Sequence, residues 1–130
     1  TITMQVARNF FLSTEKTYLR KLTEIFLALK IERHLSKQEI LELYLNKIYF
    51  GQRAYGVGAA AAVYYGLPID QLSLAQVATI AGLPKAPSRY NPVVNPERAK
   101  IRRDYVLGRM HELDYITDEQ YQLAFCECRL

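Results

Sequence analysis

Helix-start chemistry recurs along this chain more than any other signal, and it leaves few folds open. Ser36 with Glu39, Ser73 with Gln76 and Thr117 with Gln120 each fit a capping box. In that arrangement two side chains satisfy the free amides at the first turn of a helix. Asn95-Pro96 is a fourth start, with Asn at the cap and Pro at the first helical position, and Ser13 or Thr14 can cap a fifth helix. After each signal the apolar residues recur three and four apart, as in Ile40, Leu41, Leu43 and Tyr44 or in Val77, Ile80 and Ala81. No stretch has a convincing period of two. The pattern predicts an all-α, mainly helical fold of about six or seven helices.

The breaks between helices are equally plain. Gly51 ends the segment after Tyr49-Phe50, and Gly66-Leu67-Pro68 ends an alanine-rich helix. The stretch Leu83-Pro84-Lys85-Ala86-Pro87-Ser88, continuing to Asn91-Pro92, is too rich in proline to be helical. With 130 residues, half of them apolar, the chain has material for one compact domain, and its loops do not divide it. Lys and Arg number 17 against 13 Asp and Glu, a formal charge of +4 that favours an anionic partner. Neither a signal peptide nor an apolar run of the ~20 residues needed to span a bilayer is found. The chain starts at Thr1 rather than Met and reads as a segment of a longer protein. Cys126 and Cys128 form a lone Cys-x-Cys without the second pair that a zinc site needs.

The chemistry concentrates on the helix expected over residues 13–35. On a wheel of roughly 100° per residue, Leu19, Leu22, Ile25, Phe26 and Leu29 share one side, which is expected to face a core. Lys16, Arg20 and Glu24 are four apart and form a stripe on the other side, flanked by Lys21. Beyond Glu24 that face continues as Leu27, Ala28 and Ile31, so the helix is apolar nearly all round and should be buried. Glu24 then sits where a cationic opening meets a dry interior. Such a carboxylate can assist proton transfer or hold a metal ion. The three cations can neutralise a diphosphate, Arg20 through two parallel hydrogen bonds. A surface ion pair between Arg20 and Glu24 fits the same spacing. Thr1, Gln5 and Arg8 or Asn9 also recur at helical spacing and offer hydroxyl, amide and cationic donors on one face. Downstream, Asn46 and Tyr49 precede Gly51, and Arg53-Ala54-Tyr55-Gly56 follows. Taken one by one, these fit a helix C-cap, packing aromatics and a solvated charge equally well.

Taken together, the segments resemble glycosyltransferase family 51, the peptidoglycan glycosyltransferase domain of class A penicillin-binding proteins. Thr1-Ile2-Thr3-Met4-Gln5 is similar to the end of the family's Gly-Gly-Ser-Thr-Ile-Thr-x-Gln motif. Arg20-Lys21-Leu22-Thr23-Glu24 matches its Arg-Lys-x-x-Glu motif, and Ile40-Leu41-Glu42-Leu43-Tyr44-Leu45-Asn46 its Ile-Leu-Glu-x-Tyr-Leu-Asn motif. The similarity covers residues 1–124 and leaves residues 125–130, with both cysteines, as an atypical tail.

The resemblance implies a lysozyme-like, mostly helical fold, incomplete at its N-terminus, in enzymes that polymerise lipid II into β-1,4 glycan strands. The growing glycan is the donor, its undecaprenyl pyrophosphate leaves, and the 4-hydroxyl of the incoming lipid II attacks with inversion. Glu24 would be the catalytic carboxylate that assists departure of the pyrophosphate, directly or through a divalent ion such as Mg2+ or Mn2+; no organic cofactor is implied. Lys16, Arg20 and Lys21 would contact the diphosphate, while Thr1, Gln5, Arg8 and Tyr49 would line the donor cleft. Asn46, Arg53 and Tyr55 would support the site. The partners implied are lipid II, the nascent glycan strand, a membrane surface, phosphoglycolipid inhibitors of the moenomycin type and a transpeptidase domain in the parent chain. The parent would lie at the inner membrane, on its periplasmic side.

The family's Glu-Asp-x-x-Phe-x-x-His-x-Gly motif, which carries the general base, lies upstream of the Thr-Ile-Thr motif and is not among these residues. The chain alone is therefore expected to turn over poorly, and binding of pyrophosphate or a phosphoglycolipid without catalysis is the alternative function. Nucleic acid is not an expected partner, because the cations are spread between helix faces and residues 100–103 without a recognition helix or stacking platform. A lysozyme-like hydrolase would have no obvious use for diphosphate-binding cations.

Overall fold

The hydroxyls of Ser36, Ser73 and Thr117 each accept a hydrogen bond from the backbone N–H three residues on, at 3.2 Å. The side chains of Glu39, Gln76 and Gln120 accept one in return from the N–H of the cap residue, at 2.7, 2.9 and 2.9 Å. All three expected capping boxes are therefore closed, and they open α3 (Lys37–Lys47), α5 (Leu74–Gly82) and α7 (Asp118–Cys126). The computed structural model describes residues 1–11 and 16–127. The remaining helices are α1 (Ile2–Phe11), α2 (Tyr18–His34), α4 (Val57–Tyr65) and α6 (Pro96–Glu112). Two 3-10 turns, Ile69–Gln71 and Leu83–Lys85, complete the set. Among the described residues the only β feature is an isolated antiparallel bridge between Tyr49 and Tyr55. The fold is all-α, as its periodicity predicts.

Two helix starts differ from expectation. Helix α6 does open on Pro96, but Asn95 makes no side-chain cap bond. Helix α2 is capped by Thr17, whose hydroxyl accepts from the Arg20 N–H at 3.1 Å. Ser13 and Thr14, the expected caps, lie outside the described residues. Lys16 therefore precedes the helix rather than standing on its stripe.

The helices gather into two compact units, Thr1–Ile48 and Tyr49–Leu130. In the first unit, α1, α2 and α3 enclose Val6, Ala7, Ala28 and Ile40. The face of α2 expected to meet a core does not do so. Leu19, Leu22, Ile25, Phe26 and Leu29 are all exposed, Leu19 by 74% and Phe26 by 70%. The buried residues of α2 are Glu24 and Ala28. Four residues beyond Ala28, Glu32 accepts a hydrogen bond from Thr3 of α1. Helix α1 thus covers the stripe that carries Glu24. The wheel misjudged the side because both sides of α2 are apolar, and periodicity ranks faces only when one of them is polar.

In the second unit, α5, α6 and α7 pack around Ala75, Ala78, Leu107, Ile116 and Ala124. A tight loop precedes α4. The Phe50 N–H donates to the Ala54 carbonyl at 2.9 Å, and the Ala54 N–H to the Gly51 carbonyl at 2.8 Å. Gly51, Gln52 and Arg53 take positive φ values of 84°, 48° and 59°. Burial pushes the Tyr64 phenol up to about 12, with Tyr49 and Tyr65 adding to the shift. It stays protonated at neutral pH and donates to the Phe50 carbonyl at 2.7 Å. A Cβ on Gly51 would lie 2.7 Å from that same phenol oxygen. Gly51→Ala is thus expected to cost at least about 1–2 kcal/mol from the left-handed backbone alone, with displacement of Tyr64 added. A fall in thermal midpoint relative to the parent chain checks it.

Candidate functional site

The N-terminus of α2 opens onto a cavity of about 470 Å³ lined by Arg8, Lys16, Thr17, Tyr18, Arg20 and Lys21. Four of those six side chains are cations. Arg8 comes from the last turn of α1, Lys16 from the segment before α2, and Arg20 and Lys21 from the first turns of α2. Repulsion among four cations is costly unless an anion joins them. The positive end of the α2 dipole points the same way and reinforces the preference.

Arg20 gives the cavity a second anion-seeking feature. Its Nε is buried and has no hydrogen-bond partner. Buried donors are paired in the great majority of cases, so an unsatisfied one beside a cationic cavity is a place for a ligand oxygen. Glu24 lies one turn deeper and is only 3% exposed. Its Oε2 accepts from the Lys21 Nζ at 3.3 Å, while the Lys21 side chain is 52% exposed. Glu24 pairs with Lys21 three residues before it, rather than with Arg20 four before it as the alternative reading of the stripe has it. Lys21 thus bridges a buried carboxylate and an open cationic surface.

The other expected residues are placed as follows. Thr1 accepts the Met4 N–H through its hydroxyl at 3.1 Å and so caps α1. Gln5 is half-buried on α1, and neither it nor Thr1 is among the residues lining the cavity. Asn46 is exposed in the last turn of α3, where Ile48 rather than Asn46 is the C-cap. Tyr49, Arg53 and Tyr55 belong to the second unit. There the Tyr49 and Tyr55 rings meet at 5.0 Å between centroids, tilted by 41°. Tyr49 and Arg53 line a separate cavity of about 370 Å³ with Gly51, Gln52, Ser88, Asn91 and Val94.

Sequence reasoning missed Thr17 and Tyr18, although a Thr directly before an apolar-periodic run is a recognised cap signal. It also missed Ser88 and Asn91, whose loop was read only as a break. Cys126 is exposed within α7, and Cys128 lies outside the described residues. Among the described residues, no group of three His, Cys, Asp or Glu side chains is placed to hold a metal ion. Nor is any helix long and apolar enough to cross a membrane.

Known proteins resemble this chain along nearly all of its length. A family model described as Transglycosylase matches residues 1–111. Penicillin-binding protein 1A of Pseudomonas aeruginosa is 64% identical over 124 residues, covering 95% of this chain and 15% of the relative. That of Escherichia coli K12 is 62% identical over 121 residues, covering 93% and 14%. The crystal structure of penicillin-binding protein 1A from Haemophilus influenzae superposes with a TM-score of 0.71 at 39% identity. It matches all of this chain and 16% of its own. The chain thus spans about 15% of the length of the curated relatives it matches. With most of its length under one family model and close relatives along nearly all of it, the chain belongs to the transglycosylase family.

Proposed function

We propose that this chain supplies the leaving-group side of a peptidoglycan glycosyltransferase that polymerises lipid II into β-1,4 glycan strands. The observation that carries the proposal is the meeting of Arg8, Lys16, Arg20 and Lys21 around one cavity, with Glu24 buried one turn deeper. In the reaction, the 4-hydroxyl of one lipid II sugar gives its proton to the general base of the motif that is not among these residues, and its oxygen forms a bond to the anomeric carbon of the growing strand. The bond from that carbon to the pyrophosphate oxygen breaks with inversion, and the departing diphosphate takes the electron pair. Negative charge therefore grows on the oxygen that leaves. Prearranged cations stabilise such charge without reorganising during the reaction. Arg20 contributes the buried Nε donor, and Glu24 holds Lys21 at the cavity wall. The lipid reaches the cavity from a membrane surface in this proposal.

The donor set does not make a protein-held Mg2+ or Mn2+ site, since Glu24 is a single carboxylate already engaged by Lys21. A divalent ion would join this site chiefly through the diphosphate's own oxygens. The general-base motif is not among these residues, so the chain by itself is proposed to bind pyrophosphate, or a phosphoglycolipid inhibitor of the moenomycin type, without turnover.

Two measurements test the proposal. A chimera carrying this chain in place of the matching 124 residues of the Pseudomonas aeruginosa relative should polymerise lipid II. A folded chimera that makes no glycan would sink the catalytic assignment. In the chain alone, Arg20→Ala should weaken binding of inorganic pyrophosphate by about 10-fold or more, the scale of a lost hydrogen bond to a charged group. Calorimetric titration reads it, and an unchanged affinity would remove Arg20 from the site.

A further inference from the structure

Glu32 lies eight residues beyond Glu24, on the same stripe of α2, yet it lines neither cavity. One carboxylate oxygen accepts the hydroxyl of Thr3, a buried residue in the first turn of α1. The other accepts from the Lys37 Nζ at 2.8 Å, at the start of α3. A single side chain therefore ties all three helices of the first unit. Lys37 first, and then Thr3, hold its carboxyl below the usual carboxylate range, so it is ionised at neutral pH.

The position of this tie matters because of what α1 carries. The buried apolar residues of α1 are Val6 and Ala7, small side chains whose contacts resist separation but only weakly resist sliding. A directed hydrogen bond to a charged acceptor resists sliding much better. At the far end of α1 the Phe10 ring lies under the Lys47 Nζ, 5.3 Å from the ring centroid, in the last turn of α3. Helix α1 is thus held at both ends, and Arg8, its one residue on the cationic cavity, lies between the two fastenings. We infer that Glu32 is a positioning residue for that cavity, acting through Thr3 to fix where Arg8 stands relative to Lys16, Arg20 and Lys21.

The inference rests on the pyrophosphate binding proposed above, and a double-mutant cycle separates the two. The 130-residue chain is titrated with inorganic pyrophosphate as wild type, Thr3→Val, Thr3→Ser, Arg8→Ala and the Thr3→Val/Arg8→Ala pair. Circular dichroism establishes that each variant is folded at the assay temperature. Thr3→Val should weaken binding by about 5- to 10-fold, the usual range for coupled neighbours. Thr3→Ser, which keeps the hydroxyl, should bind within about twofold of wild type. Once Arg8 is gone, Thr3→Val should have no further effect on affinity, whereas a merely structural role would persist. If Thr3→Val unfolds, Glu32→Gln replaces it in the same cycle. Wild-type affinity in the folded variant, or an undiminished effect without Arg8, would overturn the positioning role alone. No pyrophosphate binding by the wild-type chain would overturn the cavity assignment and this inference with it.

Discussion

Glu24→Gln in the lipid II-polymerising chimera is expected to lower the rate of glycan synthesis by about 10²–10³-fold, the span seen when one preorganised electrostatic contact to developing charge is removed. The amide preserves the size of the side chain and can still accept a hydrogen bond, so packing beside Ala28 should survive. What it loses is the negative charge. At 3% exposure that charge is poorly screened, and its attraction for Lys21 at 3.3 Å is stronger than the same pair would show in water. Without it, Lys21 is no longer held against the cavity proposed to receive the pyrophosphate. The loss should fall on the maximal rate more than on the lipid II concentration needed, since the charge being stabilised appears only as the bond breaks. Polymerisation within about twofold of the parent would remove Glu24 from the chemistry.

The second large effect concerns stability. Arg103 is fully buried, and it is the largest such side chain among the described residues. Its Nη1 donates to the Glu127 carbonyl at 2.7 Å and its Nη2 to the Phe125 carbonyl at 3.4 Å. Nε and Nη2 also fork onto Asp104 Oδ1, at 3.0 and 2.9 Å. Arg103→Met keeps the volume but leaves two carbonyls and a carboxylate without their donor. Removing one partner of a buried ion pair costs about 3–5 kcal/mol, and urea unfolding of the variant should show a loss of that order. An unchanged midpoint would mean that these carbonyls find water instead. Such a loss would be a large share of the stability of a chain this size.

Arg103 also marks how far a sequence can be read. Capping boxes are contained in four consecutive residues, so Ser36, Ser73 and Thr117 could be placed without knowing anything distant. Pro96 and Gly66 are local in the same sense, and the αL backbone at Gly66 ends α4 as its sequence predicts. Arg103 looked like one more charge in a basic stretch. Its burial depends on carbonyls more than twenty residues away, and those belong to the stretch read as an atypical tail. In the structure α7 runs through Cys126, and the Glu127 carboxylate accepts the Ser73 hydroxyl at 3.3 Å. The outward face of α2 escaped for a different reason. A helix apolar all round carries no mark of which side its neighbours take.

The candidate site was legible to a similar depth. Arg20, Lys21 and Glu24 share one short motif, and spacing alone put Glu24 at the boundary between charge and interior. The ion pair went to Lys21 rather than Arg20, a choice made by side-chain reach and not by helical period. Tyr49 and Arg53 gained a shared cavity only once Ser88, Asn91 and Val94 came together from a loop some forty residues on.

The cationic cavity has a kinetic consequence. Among the described residues, those that line it all fall between positions 8 and 21. Bringing them together closes only a short stretch of chain, and loop-closure entropy rises slowly from a small starting value. Contacts this local form early in folding. Refolding followed by pyrophosphate-induced protection should therefore show Lys16, Arg20 and Lys21 assembling first, with Arg8 joining once the Thr3–Glu32 tie, 29 residues apart in sequence, has closed.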